Sequence, residues 1–247
     1  MARQARKKSE TGIYHIMLRG VNKQIIFLED EDYRMFIRYL GICKTISDFE
    51  IYAYCLMDNH IHLLIQENDE PIATVMKRIT CRFVYWYNTK YDRVGHLFQD
   101  RFRSEPVETD EYLFSVIRYI HQNPVKANIV DDCSAYEYSS YNWYFKKSKL
   151  INSKRIYSFI NKNQFKELHN TLEEAEMLDM EEKRKRLTDK EANNIFSSIT
   201  GCSNIDDFKK VEKLLQKEYV QQLKTEGCSI KQICDLSGLT YGRVSRW

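Results

Sequence analysis

The chain contains no Cys-x-x-Cys pair, no Gly-x-x-x-x-Gly-Lys-[Ser/Thr] loop and no large excess of charge of either sign. It also has no apolar run near the roughly 20 residues that span a bilayer. Each absence removes a class of protein. Seven scattered cysteines, an odd number, argue against a disulfide framework or a zinc-finger ligand set and fit a reducing cytoplasm. No phosphate-cradling loop means no visible nucleotide energy source. Residues 1–8 are basic, but no apolar segment follows them, so neither a signal peptide nor a membrane partner is expected. A net charge of +3 is only mildly basic, so any nucleic-acid site must come from local clusters. What remains is a soluble globular composition, 43% hydrophobic and 30% charged over 247 residues, enough for one large or two smaller domains. With 17 tyrosines, none is singled out by identity alone.

The stretch Cys55-Leu-Met-Asp-Asn-His60-Ile-His62-Leu-Leu-Ile65 sets two histidines two residues apart in an apolar run. In a strand both imidazoles point to one face, because side chains alternate with period two. Tyr52–Leu56 reads as the preceding strand, and Asp58-Asn59 as a hairpin turn. Two readings follow: a convergent pair, or two ordinary half-buried strand residues.

The surrounding order is a strand at Ile13–Leu18, a helix from Asp30 to about Ser47, the hairpin, a helix opened by Pro71 and running to about Tyr91, and a strand at Ser104–Thr109. That is βαββαβ, an α+β antiparallel sheet with helices on one face and strands one and three as central neighbours. A polar loop, Arg19 to Gln24, follows the first strand. Gly95–Arg103 interleaves Gln99, Arg101 and Arg103 with Phe98 and Phe102, a pattern that suits single-stranded nucleic acid or a surface loop pinned by two buried rings. Thr109 caps a further helix whose core stripe is Leu113, Val116, Ile117 and Ile120. Tyr119 and Asn123 lie one turn apart on a neighbouring stripe, and Pro124 is expected to end the helix near Asn123. Taken alone, Tyr119 is equally a boundary aromatic and Asn123 a cap.

Met57-Asp-Asn-His-Ile-His-Leu-Leu-Ile65, Gly95-His-Leu-Phe-Gln99 with Arg101-Phe102, and Tyr119-Ile-His-Gln-Asn-Pro-Val-Lys-Ala127, in that order, resemble the REP-associated tyrosine transposases. These belong to the single-tyrosine HUH transposases, and the likeness covers roughly residues 12 to 145. The resemblance implies a ferredoxin-like fold and a metal-dependent endonuclease and strand transferase acting on hairpin-associated single-stranded DNA from a repeat palindrome, through a 5′-phosphotyrosine. It implies Tyr119 as nucleophile and His60, His62 and Asn123 as ligands of a divalent ion, Mg2+ or Mn2+. Candidate DNA contacts are then Arg19, Asn22, Lys23, Gln99, Arg101 and Arg103. Asp58 stands where the family's hairpin turn carries proline, a change expected to alter loop rigidity more than chemistry. A monomer or homodimer is expected. Alternatives from other classes are a non-catalytic DNA-binding regulator and another HUH nuclease such as a relaxase or replication initiator.

Residues 1–145 thus read as the catalytic domain and 146–186, polar and charge-alternating, as linker with short helices. Residues 187–247 read as a helical, helix-turn-helix-like domain. There Ser229 to Val244 places Ile233, Cys234, Gly238, Leu239 and Val244 at helix-turn-helix offsets, with Ser229 and Thr240 as N-caps. Leu214, Leu215, Tyr219, Val220 and Leu223 supply the supporting helix. Lys231, Thr240, Tyr241, Arg243 and Arg246 are its candidate DNA contacts. The alternative is a three-helix interaction module. The chain stops at Trp247, barely two turns into the second helix, which leaves a continuing segment or a helix held by packing alone.

Overall fold

In the computed structural model, residues 6–171, 187–202 and 204–247 are described, and the chain divides into two compact units, Met1–Met180 and Glu181–Trp247. The basic run Lys183–Arg186 and the acidic run Glu173–Glu176 lie outside the described residues.

The first unit runs β1 (Ile13–Arg19), α1 (Asp30–Ser47), β2 (Glu50–Leu56), β3 (His60–Gln66), α2 (Ile72–Lys90), β4 (Arg103–Pro106), α3 (Asp110–Lys126), α4 (Lys154–Tyr157) and α5 (Lys162–Leu168). The sheet order is β2-β3-β1-β4 and every pairing is antiparallel, with β1 and β3 central. This is the βαββαβ order that the sequence implies.

Alternation divides the sheet. Ile61, Leu63 and Ile65 of β3 point one way and are buried in the same core as Phe36 and Leu40 of α1 and Val75, Met76, Ile79 and Phe83 of α2. His62 and Leu64 point the other way, and α3 packs against β2 and β3, with Tyr119 meeting His62 and His15. The expectation of helices on one face is therefore incomplete, because α3, formed after the βαββαβ unit closes, brings Tyr119 to the histidine-bearing side.

Two helix ends are informative. Asp32, fully buried, closes a capping box at the start of α1, accepts from the backbone N–H groups of Leu28 and Glu29, and binds Tyr91 and Lys90 at the far end of α2. At the end of α3, Pro124 does not stop the helix at Asn123. The helix continues to Lys126, closed by Ala127 N–H on Asn123 O at 2.9 Å and Ile129 N–H on Pro124 O at 2.9 Å. Proline forfeits one donor, and those following bonds hold the turn that propensity alone would give up.

The stretch read as linker is only partly one. Ile151, Ile156 and Phe165 are buried in the core of the first unit, and Tyr144 and Phe165 stack at 4.1 Å. Ile151 sits in a β-bridge to Ile51, Ile156 in α4 and Phe165 in α5, and three anchors so spread carry no clear period, which hid them in polar sequence.

The second unit comprises α6 (Asp189–Thr200), α7 (Ile205–Lys210), α8 (Lys213–Thr225), α9 (Ile230–Ser237) and α10 (Tyr241–Arg246), around Phe196, Phe208, Val220, Leu223, Ile233 and Val244. Ser229 caps α9 through a reciprocal box with Gln232, and left-handed Gly238 ends it. Thr240 occupies the N-cap position of α10 without a side-chain cap bond. Leu214 and Leu215, expected inside, are 66% and 41% exposed; α8 buries Gln216, Val220 and Leu223 instead, a stripe of period 3.6 that leaves both leucines on its outer side. No helix among the described residues is long and apolar enough to cross a membrane.

Candidate active site

β3 begins at His60, and the turn before it is fixed by its backbone rather than by left-handed residues. Met57 N–H binds His60 O, Ile26 and Phe27 N–H bind Asp58 O, and Gly20 N–H binds Asn59 O at 2.9 Å. Asp58 and Asn59, residue types that tolerate positive φ, do not use it here; Asn22 and Lys23 do, at 50° and 58°. Gly20 is required for close approach, since a Cβ there would lie 2.3 Å from Gln24 O. The hairpin turn and the 20–27 loop thus hold each other.

His60 and His62 converge as alternation demands, with ring centroids 5.1 Å apart and planes at 87°. His62 is fully buried; burial, then the neighbouring His60 and His15, holds its pKa well below the ordinary histidine value, so the ring is neutral. Its Nδ1 lies 3.0 Å from His15 Nε2, and its Nε2 is buried without a hydrogen-bond partner. The Nδ1 of His60 lies 2.7 Å from Asn59 Oδ1. An amide oxygen only accepts, so Nδ1 of His60 carries a proton, and in the neutral ring Nε2 keeps its lone pair.

From α3 the buried ring of Tyr119 meets His62 edge-on at 5.5 Å and His15 at 5.8 Å, all within one chain. Lys126, two turns on, holds its ammonium 4.8 Å from the Tyr119 ring centre. Asn123, also buried, donates from Nδ2 to the Tyr119 carbonyl at 2.9 Å, which fixes it one turn from the phenol. Among the described residues no group of three His, Cys, Asp or Glu side chains could hold a metal ion. A cation here would therefore rest on two imidazoles with amide or substrate oxygens completing its shell. The donor set fits one: a neutral imidazole whose Nε2 is buried and partnerless is what a borderline divalent ion binds.

The polar candidates flank this site. Arg19 pairs with His60 in the β1–β3 register, and Gln99 N–H donates to Arg19 O at 2.8 Å, so the 95–103 loop is stitched beside the histidines. Within that loop Phe102 is buried beneath the Arg6 guanidinium, 3.8 Å from its ring centre, and Phe98 is partly buried against the core, so the two rings pin the loop and do not offer stacking faces. Gln99, Arg101 and Arg103 are exposed. In the second unit Lys231, Thr240, Arg243 and Arg246 are exposed and Tyr241 is half-buried. Sequence reasoning missed His15; its strand alternation was visible, but the register that sets it diagonal to His62 was not.

Residues 8–123 match the model of the IS200-like transposase family, and the relatives that follow point the same way. The protein is thus an enzyme of the DNA-cleaving transposase class. Within that class the likeness is to REP-associated tyrosine transposases: a curated Haemophilus influenzae protein named as one is 29% identical over 154 residues, covering 58% of this chain and 86% of that protein. A solved REP-associated tyrosine transposase, bound to a REP hairpin, superposes with a TM-score of 0.53 at 20% identity, over 62% of this chain and 89% of that one. At that identity the superposition speaks for the fold.

Proposed function

We propose that this protein is a metal-dependent single-strand DNA endonuclease and strand transferase that cuts hairpin-associated DNA through a 5′-phosphotyrosine on Tyr119. The observation that carries the reading is the meeting of the Tyr119 ring with His62, whose Nε2 is buried and unpartnered. His60 and His62, with Asn123, would hold Mg2+ or Mn2+. When bound, such an ion polarises the scissile phosphate and offsets charge in the transition state.

The chain's own residues do the rest. A free phenol has a pKa of about 10, so Tyr119 is a weak nucleophile at neutral pH and gains from a cation nearby, such as Lys126. The phenol oxygen attacks phosphorus, the bond from phosphorus to the 3′ oxygen breaks, and the leaving 3′ oxygen ends with the phenol's proton. The products are a 5′-phosphotyrosine and a 3′-hydroxyl. Attack by a 3′-hydroxyl reverses the step, restoring a phosphodiester and the phenol, so no nucleotide is consumed. Arg19, Asn22, Lys23, Gln99, Arg101 and Arg103 would lead the strand past Tyr119. Lys231, Thr240, Tyr241, Arg243 and Arg246 would add affinity from the helix-turn-helix-like unit without entering the chemistry. The protein would act in the cytoplasm, on hairpin DNA, as a monomer or homodimer.

The test is a labelled single-stranded hairpin DNA incubated with the full chain and Mn2+ or Mg2+. Wild type should form a covalent adduct and chelator should stop it, while Tyr119→Phe should bind the hairpin and form none. An adduct that survives in Tyr119→Phe or in chelator would overturn the assignments. Binding without any cleavage by wild type would favour a DNA-binding regulator.

A further inference from the structure

We infer that His15 is a positioning residue for the proposed metal site: its Nε2 accepts the proton on His62 Nδ1 and so holds His62 in the tautomer whose Nε2 lone pair can take a cation. The inference rests on the reading of His62 as a ligand and adds a residue that reading does not contain.

The geometry is set by the sheet. In the β1–β3 register His15 stands opposite Leu64 and Met17 opposite His62, so His15 and His62 are diagonal neighbours on one face. Both are fully buried, the rings stack at 5.3 Å with 29° between planes, and Nε2 of His15 is 3.0 Å from Nδ1 of His62. One proton lies between these nitrogens, and its owner can be argued. Were His15 the donor, neutral His62 would carry its proton on Nε2 and could not offer that atom to a cation. With His62 the donor, its Nε2 bears the lone pair a cation needs, so the reading of His62 as a ligand makes His15 the acceptor. His60 repeats the arrangement, its Nδ1 directed at Asn59 Oδ1. Each candidate ligand thus has its far nitrogen engaged by a neighbouring acceptor, and for His62 that acceptor is His15.

Two substitutions in the full chain separate acceptor from filler. His15→Gln offers an amide oxygen as acceptor, whereas His15→Leu fills similar space and offers none. Two readouts apply: the His62 tautomer, from long-range 15N–1H NMR of the metal-free protein, and Mn2+ affinity by calorimetry without DNA. Wild type should show His62 protonated at Nδ1. In His15→Leu the proton should move at least partly to Nε2 and the Mn2+ Kd should rise about 10- to 100-fold, with His15→Gln near wild type. A folded His15→Leu protein with wild-type tautomer and affinity would overturn the inference alone, as would His15→Gln losing as much affinity as His15→Leu. If wild type binds no Mn2+, or binds it equally in His62→Ala, the metal reading falls and this inference with it.

Discussion

The first unit buries two histidine pairs at hydrogen-bonding distance, and they differ in how their nitrogens are used. In one, His169 Nδ1 lies 2.8 Å from Phe165 O, His169 Nε2 lies 2.9 Å from His121 Nδ1, and His121 Nε2 lies 2.7 Å from Ser140 Oγ, which accepts from Tyr54 N–H. Because a carbonyl only accepts, the protons run one way along that chain and every ring nitrogen is satisfied. It ties α3 to β2 and α5. In the other pair, His15 and His62, the chain of bonds stops at His62 Nε2, beside Tyr119. Residue type, burial and pairing are alike, so none of them separates scaffold from site. The unfinished valence does.

The largest effect should come from breaking the unfinished pair's partner. His60→Ala, at a half-buried position, should reduce metal-dependent adduct formation to background on a denaturing gel while moving the thermal midpoint by only a few degrees.

The opposite split is expected at the satisfied pair. His121→Leu leaves His169 and Ser140 each short of a buried partner and should cost about 2–4 kcal/mol in urea unfolding. Mn2+ affinity of the folded protein should be unchanged.

Acid should act on the satisfied pair as well. Burial lowers the His169 pKa to about 4, and His121 is also held well below its ordinary value by burial and by His169. Unfolded His169 takes its proton near 6.5, the folded form only near 4, so between those values the unfolded chain holds more protons and stability falls as pH falls. The loss should reach about 3 kcal/mol by pH 4 and be absent above about 6.5. His169→Gln should flatten that part of the stability–pH curve; an unchanged slope would contradict the assignment.

The smallest effect concerns the loop beside the site. Arg101→Ala and Arg103→Ala should each weaken hairpin binding and lower the salt slope by about one, with little change in cleavage at saturating DNA.

Much of the site was legible because its parts are local. The His60–Ile61–His62 alternation needs only a strand, and the Tyr119–Asn123 pairing only a helix. The strand and helix order gave the sheet. What escaped depends on contacts distant in sequence. His15 acquires meaning only through strand register, and Phe165 through packing on Tyr144 rather than through any period of its own. The helical turn past Pro124 is set by bonds formed after the proline, which a rule about the residue before it does not contain.

The proposed mechanism places the covalent bond on one oxygen among 17 tyrosines. Peptide mapping by mass spectrometry of the adduct formed between the full chain and a single-stranded hairpin DNA in Mn2+ would locate it. The nucleotide phosphate should be found on Tyr119; a phosphate on any other tyrosine, or no covalent adduct at all, would contradict the mechanism.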